Sequence, residues 1–433
     1  SILVMKREHK LALLSFLWLF TLMTGYYIVK PLREALTNEL PHEWVPYLGI
    51  GVMVFIIFFN FIYDRLACIQ NPEGLIKIVT VFFSLCLLGF AFILRMSWPQ
   101  VNIPFLGIQP GRYIWIIIYY FFVGIYNVFT VTMFWSFVND IFNSNEAKSY
   151  FGKITAGGTI GGLAGSYLTA RLSTRIEVEN LLFLSSFLLM ITIAFMYLLL
   201  PLSDKEKKEE KTSAHEKGES GFSLVVQSRY LQWMVLAAFL MTSGATVLYN
   251  QMNAIVKYSI TDKALRTEFW AEMNLWINGL GLFFQLFCVH CAVKYSGILS
   301  TILIAPVVNL AGSFSLIWST GLTFGSIYHV GNYSTEYSFN RASREILYIP
   351  TDRDFKYQGK AIVETFVYRL GDGITSLLLI ITALPLHYMA FLNLFITLLR
   401  FIPAVALAKH YEGLMKIEED AGKNTVPKFL PKN

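Results

Sequence analysis

Apolar runs of about 20 residues recur along this chain, and no other feature limits its fold as strongly. A helix needs roughly 20 mostly apolar residues to cross a bilayer. By that rule twelve spans are expected, at about 11–30, 46–63, 75–94, 113–138, 151–171, 181–201, 230–256, 270–292, 297–318, 322–347, 360–383 and 386–408. Only 15% of the 433 residues are charged and 55% are hydrophobic. Soluble domains carry about 25% charged residues, so little of this chain is left to fold in water. The expected class is an all-α, multi-pass membrane protein. The first run follows Lys6, Arg7 and Lys10. It is too long for the apolar core of a signal peptide and no small-x-small cleavage site follows, so it reads as the first span.

One segment breaks the rhythm. Ser203 to Gly221 reads SDKEKKEEKTSAHEKGESG, with charges of both signs and nothing to bury. Such a stretch is expected to be a surface linker. Six expected spans lie on each side, which divides the chain into 1–202, the linker 203–221, and 222–433. With the N-terminus placed in the cytoplasm, 24 of the 35 Lys and Arg residues fall in cytoplasmic segments and 9 in the opposite loops. That bias puts both termini and the linker inside. A weak echo links the halves: NDIFNSNEAKSYFGK after the fourth span and ILYIPTDRDFKYQGK after the tenth. Parallel repeats of this kind are the plan of the major facilitator fold, two six-helix bundles around a central cavity.

Charges stand where hydrocarbon should exclude them. The first span ends in GYYIVKPLREAL, with Lys30, Arg33 and Glu34 within one turn. Arg369 and Asp372 lie inside the eleventh span, Glu336 near the middle of the tenth, and Arg400 in the twelfth. An ionisable group at such depth usually faces a cavity or a partner. Helical spacing puts Lys30 with Arg33, and Arg369 with Asp372, on shared faces. Glu364, Tyr368 and Asp372 form a stripe at i, i+4, i+8, and Asn340 with Arg344 repeats the step. Asn250, Gln251 and Asn253 precede Lys257, while Glu272, Asn274 and Asn278 mark the eighth span. These stripes imply a wet interior. Lys and Arg both hold phosphate oxygens well, so Lys30 and Arg33 are expected to hold an anionic substrate. Tyr126, Asn127 and Tyr249 could stack on or bond its remaining parts, beside Glu34, Asn250, Asn278, Glu364, Tyr368, Arg369 and Asp372. The alternative is internal pairing, of Arg369 with Asp372, Arg33 with Glu34 or Glu336, and Arg344 with Glu345. Arg341 and Arg344 near the cytoplasmic end, Glu336, and Asp64 with Arg65 in FIYDRLACIQ are candidates for gating.

Other motifs read as packing. ITAGGTIGGLAG places Gly157, Gly161 and Gly165 four residues apart, a smooth face for close helix contact. It lacks the Lys-Ser/Thr of a phosphate loop. Cys288 and Cys291 around His290 have C-x-x-C spacing, but within a span they are taken as packing residues rather than a metal or redox site. Neither these nor Cys68 and Cys86 suggest a secreted disulfide framework. No catalytic dyad, nucleophile elbow or HExxH is present. No catalytic residue, metal or cofactor is expected, and no nucleic acid partner.

Four stretches resemble a known family: YYIVKPLREAL, FWSFVNDIFNSNEAKSYFGKITAGGTIGG, RTEFWAEMNLWINGLGLFFQLF and SREILYIPTDRDFKYQGKAIVETFVYRLGDG. They are similar to the nucleotide transporters, that is, the ATP/ADP translocases of plastids and obligate intracellular bacteria and their broader bacterial relatives, the NTP/NDP exchange transporters. The resemblance implies a twelve-span facilitator fold that exchanges charged nucleotides by alternating access. It also implies a phosphate-binding role for the basic motif holding Lys30 and Arg33. Two positions depart from the translocases. Val123 stands where they carry an acid, and Gly371-Asp372-Gly373 stands where they carry Lys in G-K-S-G; Asp372 instead resembles the broader bacterial branch. The expected function is exchange of phosphorylated anions, above all nucleotides, by a monomer in the bacterial inner membrane with its termini and linker cytoplasmic. Its expected partners are the substrate and membrane lipid. Proton-coupled transport of another solute, through Asp372, Glu336 or Glu364, is one alternative. A non-transporting receptor or scaffold is another.

Overall fold

The computed structural model describes residues 7–69, 72–99, 110–142, 144–202, 221–351, 359–360 and 362–421. Nearly all of them are helical, and no strand occurs among them. The linker segment 203–220 lies outside the described residues. Among the described residues, eight helical stretches are long and apolar enough to cross a membrane. One of these, Lys263–Trp318, runs for 56 residues, more than twice the length one crossing needs. Large apolar side chains such as Phe82, Leu85, Phe187 and Phe391 stand exposed on the helix surfaces. A bilayer supplies the solvent that such a surface requires, because helices satisfy their own backbone and leave only side chains to meet lipid.

The helices gather into two compact units, one of residues 1–212 and 256–278, the other of residues 213–255 and 279–433. In the first unit α1 (Arg7–Thr37) packs on α5 (Ser144–Leu172), α6 (Asn180–Leu199) and α4 (Pro110–Ile141). The expected glycine face makes the first of these contacts. A Cβ on Gly157 would come within 2.6 Å of the Phe16 carbonyl oxygen, and on Gly161 or Gly165 it would collide with the carbonyls of Phe20 or Thr24. Only hydrogen at those positions lets the two backbones touch. Thr24 Oγ1 then reaches the Gly161 carbonyl at 3.2 Å, and Ser185 Oγ of α6 donates to the Gly25 carbonyl at 2.9 Å. On the α4 side, Trp18 is fully buried and meets Phe134 edge to face at 5.4 Å. Helices α2 (Val45–Ile69) and α3 (Pro72–Ile93) belong to the same unit, α3 packing on α6.

The short α7 (Gly221–Gln227) leads into α8 (Arg229–Ser259). In the second unit α11 (Gly297–Trp318) packs on α15 (Leu386–Ala421) and α12 (Leu322–Thr335). A buried polar cluster joins all three. The Tyr328 hydroxyl accepts from Asn393 Nδ2 at 2.7 Å, donates to Asn309 Oδ1 and lies 3.1 Å from Ser313 Oγ. Apolar solvent offers no competing partners, so such clusters fix which helix faces meet. Between α9 (Lys263–Phe283) and α11 lie two π-helical stretches flanking the three-residue α10 (Val289–Cys291). Gly297 ends them at a φ of 77°, a backbone angle that glycine alone adopts without strain. A third π-helical stretch, Glu336–Asn340, separates α12 from α13 (Arg341–Leu347), and a fourth, Ile362–Val367, precedes α14 (Tyr368–Thr382).

Candidate functional site

The charged end of α1 is the most constrained polar region of the first unit. Its helix is interrupted chemically by Pro31, which lies between the two cations. Proline has no amide hydrogen, so the helical bond to the carbonyl four residues back, at Tyr27, is missing. Lys30 Nζ donates to Asn274 Oδ1 at 2.8 Å and lies 5.2 Å from the centre of the Tyr27 ring. Among the described residues no carboxylate is within ion-pairing distance of it. Asn274 is itself held by a bond from its Nδ2 to the Trp270 carbonyl, at 2.7 Å. Four residues on, Asn278 Nδ2 donates to the Asn274 carbonyl at 2.9 Å, and its Oδ1 lies 3.4 Å from the Tyr27 hydroxyl.

Arg33 behaves differently. It forms an ion pair with Glu34, and its guanidinium stands 4.9 Å from the Tyr120 ring centre. The Arg33 side chain is 14% exposed and that of Glu34 only 3%. Beneath them, Tyr119 donates to the Val29 carbonyl at 3.3 Å. Below that layer Tyr126 is fully buried, packed 5.6 Å from Phe83 and 6.1 Å from Phe122, so it belongs to the aromatic core. Asn127 Oδ1 is buried without a hydrogen-bond partner among the described residues. One end of the same unit is tied by Arg112, whose guanidinium grips both oxygens of Glu39 at 2.6 and 2.9 Å. The Lys257 ammonium bonds the Leu40 carbonyl there, and Trp270 Nε1 donates to Asn38 Oδ1 at 2.9 Å.

The second unit holds the other candidates. Asp372 accepts from Thr246 Oγ1 at 2.9 Å and lies 3.6 Å from Arg369. Asn250 spends its Nδ2 on the Thr246 carbonyl at 2.8 Å. Tyr249 and Glu364 are half-buried. Tyr368 sits under the Arg344 guanidinium at 5.4 Å. Glu336, in the π-helical turn, is engaged by Arg400 Nη2 at 2.6 Å and by Asn340. Glu345 takes Lys360 at 2.6 Å. Arg341 and Arg65 are exposed, while the side chain of Asp64 lies outside the described residues.

Charge pairs thus separate the candidates. Arg33 pairs within α1 and Arg369 with Asp372, both as their spacing allows. Lys30 has a neutral partner. Two participants had no assigned role in the sequence. Arg400 was visible as a cation inside a span, but nothing in its spacing pointed to Glu336. Asn274 was one of three polar residues on the eighth span, and only packing singles it out.

Comparison with known proteins places these features in context. The model of a family described as TLC ATP/ADP transporter matches residues 309–411. The chain is 22% identical over 427 residues to ADP,ATP carrier protein 1 of Rickettsia typhi, covering 85% of this chain and 84% of that one. With ADP,ATP carrier protein 1 of Chlamydia trachomatis it shares 23% identity over 435 residues, 86% and 81% of the two chains. The resemblance to the translocases therefore holds over most of the chain. Among solved structures, the nucleoside transporter NupG superposes with a TM-score of 0.59 at 13% identity, over 95% of this chain and all of that one. The xylose transporter XylE of E. coli, in an inward-open conformation, gives 0.60 at 12% identity over 92% and 95%. At that identity the likeness speaks for fold, and the fold is of the major facilitator type.

Proposed function

We propose that this homologue of the ATP/ADP translocases is an alternating-access transporter, not an enzyme, and that it exchanges phosphorylated anions, above all nucleotides. The observation that carries this is the Lys30 ammonium, held in an apolar helix by a neutral amide and an aromatic face. A cation at such depth needs a counter-charge. A phosphate arriving with the substrate supplies one, and leaves with it. Arg33, three residues further along the helix, adds a second positive group, already oriented by Glu34. Asn274, Asn278 and Tyr27 offer neutral donors and acceptors beside them for the parts of a nucleotide that are not phosphate.

In this scheme residues 1–202 and 222–433 are the two halves of a twelve-span monomer in the inner membrane, joined by the cytoplasmic linker 203–221, with both termini on the same side. The names of the relatives support adenine nucleotides as the substrates. Opposed gradients drive the exchange, so no cofactor is required. The test is uptake of labelled ATP into proteoliposomes loaded with ADP, AMP or buffer. Uptake that requires internal nucleotide is expected. Failure of every nucleotide in such a panel to support counter-exchange would overturn the assignment.

One observation favours a second reading. Asp372, a carboxylate within an apolar helix, accepts from Thr246 while lying near Arg369. A carboxyl so placed could carry a proton with a different solute. Flux driven by a pH gradient with no counter-substrate inside would select that mechanism.

A further inference from the structure

A chain of polar contacts in the second unit is short of acceptors. It links α8, the π-helical turn before α13, α13 itself and α15. Arg344 Nη1 and Asn340 Nδ2 both donate to the Met241 sulfur, at 3.1 and 3.0 Å, so the two donors lie within the span of two hydrogen bonds. A thioether is a weak acceptor. Asn340 also donates to one oxygen of Glu336, whose other oxygen takes Arg400 Nη2 at 2.6 Å. Beyond these, Arg344 Nε, Arg400 Nη1 and Ser343 Oγ are buried with no hydrogen-bond partner among the described residues.

Charge is unbalanced as well. Among the described residues, Glu336 is the one carboxylate within ion-pairing distance of either arginine, and it pairs with Arg400. Glu345, next to Arg344 in sequence, pairs with Lys360 instead, and Glu364 pairs with neither arginine. Arg344 lies against the Tyr368 ring at 5.4 Å, which brings no net charge. A guanidinium cannot shed its proton to escape burial, and the Arg400 side chain is 5% exposed. Two cations thus share one carboxylate within apolar helices, where an excess charge needs a counter-charge.

Asn340, Ser343, Arg344 and Arg400 line a cavity of about 40 Å³ whose other ten lining residues are apolar. One water needs about 10–15 Å³, so the space suits a few water-sized groups. A halide fits; a phosphate with its four oxygens, or an organic anion, does not. Buried donors are satisfied in almost all native proteins, and each exception calls for a ligand, ion or water. Water would meet the donors and leave the charge uncompensated, whereas a halide meets both needs. We propose that this cavity binds a single halide ion, chloride in a cell, held by Arg344 and Arg400 with Ser343 Oγ donating to it. The ion is then a counter-charge shared by α13 and α15.

The full-length chain, purified in a neutral maltoside detergent and washed free of halide in sodium gluconate, is titrated with sodium chloride at constant ionic strength. Bound chloride is counted by equilibrium dialysis with the radioactive ion, and thermal unfolding is followed in parallel. One equivalent is expected to bind saturably and to raise the unfolding temperature. Bromide is expected to compete and inorganic phosphate is not. Arg344→Gln removes one cation and is expected to weaken binding about tenfold or more, the scale of a charge-assisted hydrogen bond. In halide-free buffer the same variant should unfold no lower than the parent, because the charge that the ion balances is gone. Ser343→Ala leaves every charge in place and is expected to weaken binding about two- to tenfold. Absence of saturable binding would leave water as the partner of these donors and overturn the proposal. Phosphate competing as well as bromide, or an affinity unchanged in both variants, would do the same. The titration contains no nucleotide, so failure here and failure of counter-exchange are separate results.

Discussion

Replacing Lys30 is a cleaner test of phosphate binding than replacing its neighbour Arg33, and the structure supplies the reason. Arg33 is the counter-charge of Glu34, whose side chain is 3% exposed. Removing one partner of a buried ion pair strands the other and costs about 3–5 kcal/mol of stability. A transport defect in Arg33→Gln would therefore mix folding with binding. Lys30 leaves behind the Asn274 amide oxygen, 2.8 Å from the ammonium, and the face of Tyr27, neither of them charged. Losing one such charged bond costs about 1.5–3 kcal/mol, and removing a desolvated charge offsets part of that. Lys30→Gln should thus fold, with an unfolding temperature within a few degrees of the parent. Its effect on the substrate is larger. A hydrogen bond to a charged group contributes about 1.5–3 kcal/mol, so the apparent affinity for ATP should fall roughly 10- to 150-fold. The assay is counter-exchange of labelled ATP against internal ADP in proteoliposomes, over a range of external ATP, with protein incorporation measured in parallel. A variant that inserts normally and exchanges ATP with unchanged apparent affinity would refute the reasoning.

Other outcomes follow from the same geometry. Arg33→Gln should express poorly, whereas the double variant Arg33→Gln with Glu34→Gln should recover its yield in detergent but not its exchange activity. Gly161→Leu forces a side chain into the Phe20 carbonyl and should lower stability by about 1–3 kcal/mol or more, read as a fall in unfolding temperature. Arg400→Leu strands Glu336, which is 9% exposed, and should cost about 3–5 kcal/mol; Arg400→Met with Glu336→Met should restore most of the loss. A cysteine introduced at Ser213, in a background without the native cysteines, should react with a membrane-impermeant thiol reagent only after cells are opened. Labelling in intact cells would reverse the proposed topology.

What the sequence disclosed was mostly local. Apolar length located the helices, because hydrocarbon thickness acts on each span separately. Spacing along one helix placed Arg33 beside Glu34 and Arg369 one turn from Asp372, and it marked Gly157, Gly161 and Gly165 as one smooth face. The contacts it could not disclose join distant parts of the chain. Asn274 lies 244 residues from Lys30, and Glu336 lies 64 from Arg400. Which helix faces meet depends on the packing of whole units, and periodicity within one helix carries no information about it. The π-helical turn at Glu336–Asn340 escaped for a related reason. One extra residue in a turn leaves no mark in composition, yet it rotates every later side chain relative to those before it.

Contact between the backbones of α1 and α5 has a mechanical corollary. Three carbonyls of α1 rest against glycines with no intervening side chain to act as a bearing, and interiors packed this closely transmit strain instead of absorbing it. The two helices should therefore travel as a single rod through any working stroke. The turn bearing Lys30 and Arg33 would then take its position from the far end of α5, and whatever pushes on one end of that rod would be felt by the cargo.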